Sequence, residues 1–254
     1  MSATLTCKEI GSVLVITLDR PQVKNAINRE MADSLADAFD RLDADDNLKA
    51  GVLTGEGPDF CAGMDLKAFA DGSLPETRGR GLAGLTRMPP SKPLIAAVEG
   101  HAVAGGFELV LACDLVIASE TAKFGLPEVK RGLIAAGGGI VRLTQMIPRN
   151  RAAHLLLTGD TIPVGEAKEI GIVNSISSTG MAAKDAIDLA HRISGNAPLA
   201  VARTKELFTA SMCLTTEQAF DLVDFAAPQI LSSNDAREGA TAFREKRVPI
   251  WSGS

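Results

Sequence analysis

Four residues, Gly105-Gly106-Phe107-Glu108, sit where a glycine-rich turn, Gly100–Gly106, runs into an apolar stretch, Phe107–Ala112. Adjacent glycines let a ligand come close to the backbone. The first N–H groups of a helix have no partner inside it, and the helix dipole adds partial positive charge at that end. A helix opening here suits an oxygen that becomes negative during reaction, such as a thioester enolate. Glu108 falls in the first helical turn and brings a carboxylate to the same place. The same glutamate also fits a plain electrostatic role, because acidic side chains favour first turns.

Two further segments offer matching chemistry. Ala62-Gly63-Met64-Asp65-Leu66 supplies another exposed N–H, at Met64, with Asp65 at a helix start. Alone it reads equally as a tight turn with a capping aspartate. Pro127-Glu128 follows the short apolar run Phe124-Gly125-Leu126, so its carboxylate could face a cleft or simply be solvated. Two nucleotide-binding patterns fail. Gly55-Glu56-Gly57 is followed by Phe60 where the third glycine of GxGxxG belongs, and Gly100–Gly105 is followed by Gly106-Phe107 where a phosphate loop needs Lys and Ser/Thr.

Other chemistries find little support. The four cysteines, Cys7, Cys61, Cys113 and Cys213, form no CxxC pair, and each reads as a reduced, partly buried thiol. None of His101, His154 and His191 can be assigned as a base for a nucleophile, and no cluster has metal-ligand spacing. A net charge of −5, no tyrosine and a single tryptophan, Trp251, argue against a nucleic-acid partner. Met1–Pro21 alternates and carries acids, unlike a signal sequence, and no run is long and apolar enough for a membrane helix. The ending Trp251-Ser252-Gly253-Ser254 is not a peroxisomal signal, so a cytoplasmic protein is the expectation.

The elements that must hold these groups are legible in outline. Leu5–Ile10 and Val13–Leu18 alternate around Gly11-Ser12, a hairpin pattern. Asn28 can cap a helix with the face Met31, Leu35, Ala38/Phe39 and Leu42. Ala50–Leu53, Leu94–Val98 and Leu115–Ala118 are buried strands, and Phe60–Leu66 is a strand entering a turn. Gly72–Gly84 is expected to be a mobile loop, and Gly137-Gly138-Gly139 to open a helix. After Pro148 the pattern turns helical, with Ala182–Ile193, Pro198–Ser211, Thr216–Ile230 and Asp235–Lys246, where Pro198 suits a first turn and Asp235 an N-cap. The order predicts an α/β core over residues 1–190 and a helical region over residues 191–254.

Taken in order, these segments resemble the enoyl-CoA hydratase/isomerase (crotonase) family. The resemblance rests on Arg20-Pro21 with Asn25-Ala26-Ile27-Asn28, Phe60–Leu66, Lys92–Gly100, Ala104–Leu109, Cys113-Asp114 and Phe124–Glu128. It continues through Gly138-Gly139, Arg142-Leu143, Leu157-Thr158-Gly159 and Glu238 to Arg247, and so covers nearly the whole chain. It implies a spiral of ββα units and a C-terminal helical trimerisation region, assembled as a homotrimer or a hexamer of paired trimers. It also implies an oxyanion hole made by the N–H groups of Met64 and Gly105, and catalytic glutamates at Glu108 and Glu128. Coenzyme A, part of the substrate rather than a separate cofactor, would lie along Lys24, Ala26, Ala62, Asp65 and Leu66, with Lys67 available to its phosphates.

The implied reaction is reversible syn addition of water to a 2-enoyl-CoA thioester. Charge on the carbonyl oxygen needs the two donors, the water needs a base, and C2 needs a proton. Glu108 is assigned as principal base and Glu128 as proton donor. The chain departs from the family's Ile-Pro-x-x-Gly-Gly run at Ile134-Ala135-Ala136-Gly137-Gly138, which bears on the pocket's shape. Gly81–Thr86, Gly106–Leu109 and Glu245–Trp251 look like carnitinyl-CoA dehydratase relatives. An enoyl-CoA isomerase, which needs mainly one carboxylate, and a non-catalytic acyl-CoA-binding protein are the alternatives.

Overall fold

The computed structural model describes residues 4–254; the first three residues of the Met1–Pro21 segment lie outside the described residues. β1 (Leu5–Ile10) and β2 (Val13–Leu18) form the expected antiparallel hairpin, with Gly11 supplying the positive φ of the turn. α1 (Arg29–Ala44) starts where the Met31 N–H donates to the Asn28 side chain, and it buries Met31, Leu35, Phe39 and Leu42. β3 (Ala50–Gly55), α2 (Leu66–Ala70), β4 (Glu76–Thr77) and β5 (Gly81–Leu82) follow. Then come β6 (Leu94–Val98), β7 (His101–Val103), α3 (Gly105–Ala112), β8 (Leu115–Ser119) and β9 (Lys123–Gly125). A 3-10 turn over Pro127–Arg131 leads to α4 (Gly139–Met146), α5 (Arg149–Thr158), β10 (Thr161–Pro163), α6 (Val164–Glu169) and β11 (Ser175–Ser177). Four helices close the chain: α7 (Ala182–Ser194), α8 (Pro198–Ser211), α9 (Thr216–Leu231) and α10 (Asn234–Glu245).

The main sheet has the order β1-β2-β3-β6-β8-β11, and every pair except β1–β2 is parallel. Strand alternation divides its side chains between two cores. Leu14, Ile16, Leu18, Leu53, Leu94 and Val98 face the large core with α1 and α3. Val13, Val15, Val52, Ile95 and Ala97 face the opposite way, onto Ala182, Ala186 and Ala190 of α7. That i, i+4, i+8 alanine stripe lets α7 lie close against the sheet.

The chain repeats one unit. β6 in the main sheet is followed by β7 in a second sheet and then α3; β8 is followed by β9, the 3-10 turn and α4. The second sheet runs β10-β9-β7, and an isolated bridge, Cys61↔Ala102, extends it to the segment before α2. A further bridge, Ile27↔Met64, adds the segment before α1. Successive strand–bridge–helix units therefore stack as a spiral.

Several expectations change. Phe60–Leu66 runs into a turn and the start of α2 as expected, but its extended part pairs only through isolated bridges at Cys61 and Met64, with Gly63 at φ +89° between them. The segment Gly72–Gly84 is not a bare loop. It closes into the β4–β5 hairpin, with Leu82 and Ala83 buried and Arg80 paired to Asp40 of α1. Two short strands, β10 and β11, interrupt the helical run after Pro148. Cys7 and Cys213 are exposed, unlike Cys61, which is buried. The α10 cap is Ser233, not Asp235; the Asp235 carboxylate instead accepts from the N–H groups of Ser252 and Gly253 and holds the C-terminal tail.

The boundary drawn at 190/191 falls inside α7, whose last alanine contact with the sheet is Ala190. Beyond it, α8 is tied back by Lys205, whose ammonium donates to Asp114 Oδ2 at 2.6 Å and to the Lys92 carbonyl at 2.9 Å. Asp114 also accepts from the Leu94 N–H, so this ion pair joins α8 to the edge of β6. Among the described residues, no helix is long and apolar enough to cross a membrane.

Candidate active site

The two segments expected to supply the N–H donors meet. Ile27 N–H donates to the Gly63 carbonyl at 2.8 Å and Asp65 N–H to the Ile27 carbonyl at 2.9 Å, which fixes the backbone on either side of Met64. Among the described residues, neither Met64 N–H nor Gly105 N–H donates to a protein acceptor. A Cβ on Gly63 would stand 2.8 Å from the Gly105 nitrogen, and one on Gly105 would stand 3.5 Å from the Met64 nitrogen. Only glycine allows the segments to approach this closely.

Each donor follows a residue with positive φ: Gly63 at +89° before Met64, and Ala104 at +51° before Gly105. At Ala104, which is not glycine, that conformation (ψ −130°) costs about 1–3 kcal/mol. Its N–H donates to the Gly125 carbonyl at 2.9 Å, so the second sheet holds the strained residue in place. The strain orients the peptide that carries the Gly105 N–H. Two converging, otherwise unused N–H groups beside a helix start have the geometry that could stabilise a developing oxyanion.

Glu108 lies on α3, 4% exposed, among Phe107, Leu109 and the rest of a fully buried helix. Its Oε1 accepts from the Gly139 N–H at 2.9 Å. Burial raises its pKa to about 7; the N–H groups of Gly139 and Gly137 and the charge of Arg142 oppose the rise, and the like charge of Glu128 adds to it. A Cβ on Gly137 would stand 2.6 Å from Oε2, and one on Gly139 3.1 Å from Oε1. The glycine run therefore opens α4 and also cradles this carboxyl.

Glu128 stands at the start of the 3-10 turn, where Pro127 fixes the entry. Its Oε2 is buried and has no hydrogen-bond partner among the described residues. Burial pushes its pKa up as well, opposed by a hydrogen bond from its own backbone N–H and by the charge of Arg131. An unpartnered buried carboxyl oxygen is costly unless something else is bound there.

The remaining candidate positions form one surface. Ala62 N–H donates to the Lys24 carbonyl at 2.9 Å, which brings Lys24–Ala26 beside Ala62–Leu66. Arg20 Nη1 bridges the two, donating to the Ala26 carbonyl at 2.6 Å and to Asp65 Oδ2 at 3.0 Å. The Asp65 carboxylate also caps α2 through the Lys67 and Ala68 N–H groups, so its own role is to hold this surface together. Lys24 pairs with Asp59 at 3.3 Å, while Leu66 and Lys67 are exposed beside it. Ala135, where the motif departs from proline, is buried with its Cβ close to Gly139, and the Glu108 cradle remains intact.

A family model described as enoyl-CoA hydratase/isomerase matches residues 8–254. The chain belongs to that family. It is 42% identical over 248 residues to the enoyl-CoA hydratase EchA19 of Mycobacterium tuberculosis, covering 94% of this chain and 92% of the relative. It is 41% identical to the carnitinyl-CoA dehydratase of Proteus mirabilis over 261 aligned positions spanning all of both chains. The crystal structure of enoyl-CoA hydratase EchA1 from Mycobacterium marinum superposes with a TM-score of 0.96 at 50% identity, each chain covered in full.

Within this enoyl-CoA hydratase/isomerase fold, four contributors carry no role in the sequence reading. Gly137 and Gly139 support Glu108, although the glycine run reads as a helix opening. Arg142, noted only as part of a motif, donates from Nη2 to the Thr86 carbonyl at 2.5 Å and lies near Glu108. Leu82 sits inside the segment read as a mobile loop, yet it packs between Gly105 and Gly137. Gly137 is the one with a readable signal, since its motif position was already marked as a departure region.

Proposed function

We propose that this protein hydrates 2-enoyl-CoA thioesters reversibly, with Met64 and Gly105 N–H groups as the oxyanion hole and Glu108 and Glu128 as the acid–base pair. The observation that carries this reading is the pairing of a supported carboxyl, Glu108, with an unsupported one, Glu128 Oε2, next to two unused N–H donors. Hydration needs that combination: charge forms on the thioester oxygen while water is deprotonated toward C3 and a proton reaches C2. Glu108 serves as principal base and Glu128 as proton donor. Coenzyme A lies along Lys24–Ala26 and Ala62–Leu66, with Lys67 near its phosphates, and no separate cofactor is required.

The pH behaviour follows from the two environments. A Glu108 pKa of about 7 implies that activity falls as pH drops through that value and the base is protonated. The raised pKa of Glu128 lets it keep a proton at higher pH than an ordinary carboxyl. The profile belongs to the two carboxyls as a coupled pair.

Mixing the protein with crotonyl-CoA should lower the conjugated enoyl absorbance to an equilibrium level. Wild-type hydration by Glu128→Gln would overturn the two-carboxylate assignment, and faster turnover of a 3-enoyl than a 2-enoyl substrate would favour isomerisation. A second reading, dehydration of a hydroxyacyl-CoA as in carnitinyl-CoA dehydratases, is supported by full-length similarity to the Proteus mirabilis enzyme. Product analysis on both enoyl- and hydroxyacyl-CoA panels separates the two.

Assembly as a homotrimer or hexamer belongs to the same proposal. Phe225 and Phe243 are 74% and 87% exposed on α9 and α10, and Leu157 and Val141 are exposed on α5 and α4. Apolar area of this kind needs a partner surface, and a second copy of the chain supplies it. Sedimentation velocity should give a trimer or hexamer, and Phe243→Asp should weaken it.

A further inference from the structure

Leu82 occupies a position that the acid–base reading leaves without a role. Its Cδ2 lies 3.0 Å from where a Cβ would stand on Gly105, and 2.8 Å from where one would stand on Gly137. The first of those points is also 3.5 Å from the Met64 nitrogen, and the second is 2.6 Å from Glu108 Oε2. One methyl group therefore spans the gap between the oxyanion donors and the base.

We propose that Leu82 is a specificity-determining residue whose isobutyl group walls off the space beside C2 of the acyl chain and restricts the site to thioesters unbranched at C2. The inference rests on the acyl-CoA reading above. With the carbonyl oxygen at Met64 and Gly105, and the base side at Glu108, C2 and C3 of the acyl group must cross the interval that Leu82 borders. A hydrogen on C2 fits against that methyl. A methyl on C2 has to displace it.

The wall is anchored on several sides. Leu82 N–H donates to Thr86 Oγ1 at 3.1 Å, and Ala83 N–H donates to the Pro75 carbonyl at 2.9 Å. Gly84 packs so closely on α1 that a Cβ there would stand 2.6 Å from the Ala36 Cβ. Arg142 grips the Thr86 carbonyl at 2.5 Å. Ala83 itself has a φ of 54° and is fully buried, so the backbone beside Leu82 has little room to yield. A rigid wall discriminates because it cannot relax around an extra methyl, and a single methyl in such a pocket is worth about 10–200-fold.

The test uses the full-length protein and two saturated ligands, butyryl-CoA and 2-methylbutyryl-CoA, which differ only in the methyl at C2. Calorimetric titration of wild type should favour butyryl-CoA by about 10-fold or more. Leu82→Ala should narrow that preference to within about 3-fold by gaining affinity for 2-methylbutyryl-CoA, and Leu82→Met, similar in volume, should keep it. Should Leu82→Ala fail to fold, Leu82→Val must move the ratio the same way. Equal wild-type affinities, or an unchanged ratio in a folded shortened variant, would overturn the proposal.

Turnover of crotonyl-CoA against 2-methylcrotonyl-CoA separates this inference from the hydration reading. Selective binding without hydration would sink hydration and leave the wall standing. Hydration with no discrimination at C2 would sink the wall alone. No binding of either saturated ligand together with no turnover of crotonyl-CoA would remove both.

Discussion

Glu108 and Glu128 are the same side chain placed in two kinds of structure. Glu108 rides on a buried helix and is held by the Gly139 N–H at 2.9 Å. Glu128 stands on a 3-10 turn, and its buried Oε2 has no protein partner. Burial raises both pKa values, but only Glu108 has backbone N–H groups from another segment pulling the other way. A held carboxyl keeps a fixed direction and a defined affinity for its proton. An unheld one is left to bond whatever enters, and this is the difference expected between a positioned base and a group that hands over a proton.

The largest effect should come from removing either carboxyl. Glu128→Gln and Glu108→Gln should each cost about 10²–10⁴ in the hydration rate constant. They should differ in stability. The folded pKa of Glu108, about 7, exceeds its ordinary value of 4.5, so its protonated form favours folding. That contribution is fully present below about 4.5 and is lost as pH rises through about 7. Glu108→Gln should therefore be more stable than wild type at pH 8, by up to about 3 kcal/mol in chemical denaturation, and show no gain at pH 4. An equal gain at both pH values would break the comparison.

Gly139→Ala attacks the support while leaving both glutamates in the sequence. Its Cβ would stand 2.9 Å from the Ala135 Cβ and 3.1 Å from Glu108 Oε1, so the carboxyl must shift. A displacement near 1 Å costs about 10²-fold in rate. The loss should appear in kcat more than in KM, since the proposed coenzyme A surface at Lys24–Ala26 and Ala62–Leu66 lies elsewhere. The smallest expected effect is that of Arg142→Met. Removing that positive charge should raise the acid limb of the pH–rate profile by up to about one pH unit, with activity recovering at higher pH. An activity loss that no pH restores would mark Arg142 as a structural support only.

The α1 face, the β1–β2 hairpin and the buried strands β3, β6 and β8 were legible because their hydrophobic periods are local. The Met64 and Gly105 turns were legible as pairs of glycine and helix start, and the ordered motifs pointed to the family. The β4–β5 hairpin was not, because Gly72–Gly84 is polar and glycine-rich, and its order comes from Arg80 reaching Asp40 and from Leu82 packing on distant glycines. Asp235 looked like a cap from position alone, but Ser233 lies at the start of α10 and the tail claimed the aspartate.

By itself the sequence determined which groups were available: two N–H groups next to glycines, two glutamates, and a glycine run with no apparent partner. Local propensity and motif order suffice for that. The tertiary structure decided what those groups do to one another. The spiral brings Gly139, 31 positions downstream, onto Glu108, leaves Glu128 Oε2 without a partner, and seats Leu82 between both halves of the site. Burial and contact are properties of a packed volume, and no local pattern encodes the distance between residues that only the stacked units bring together.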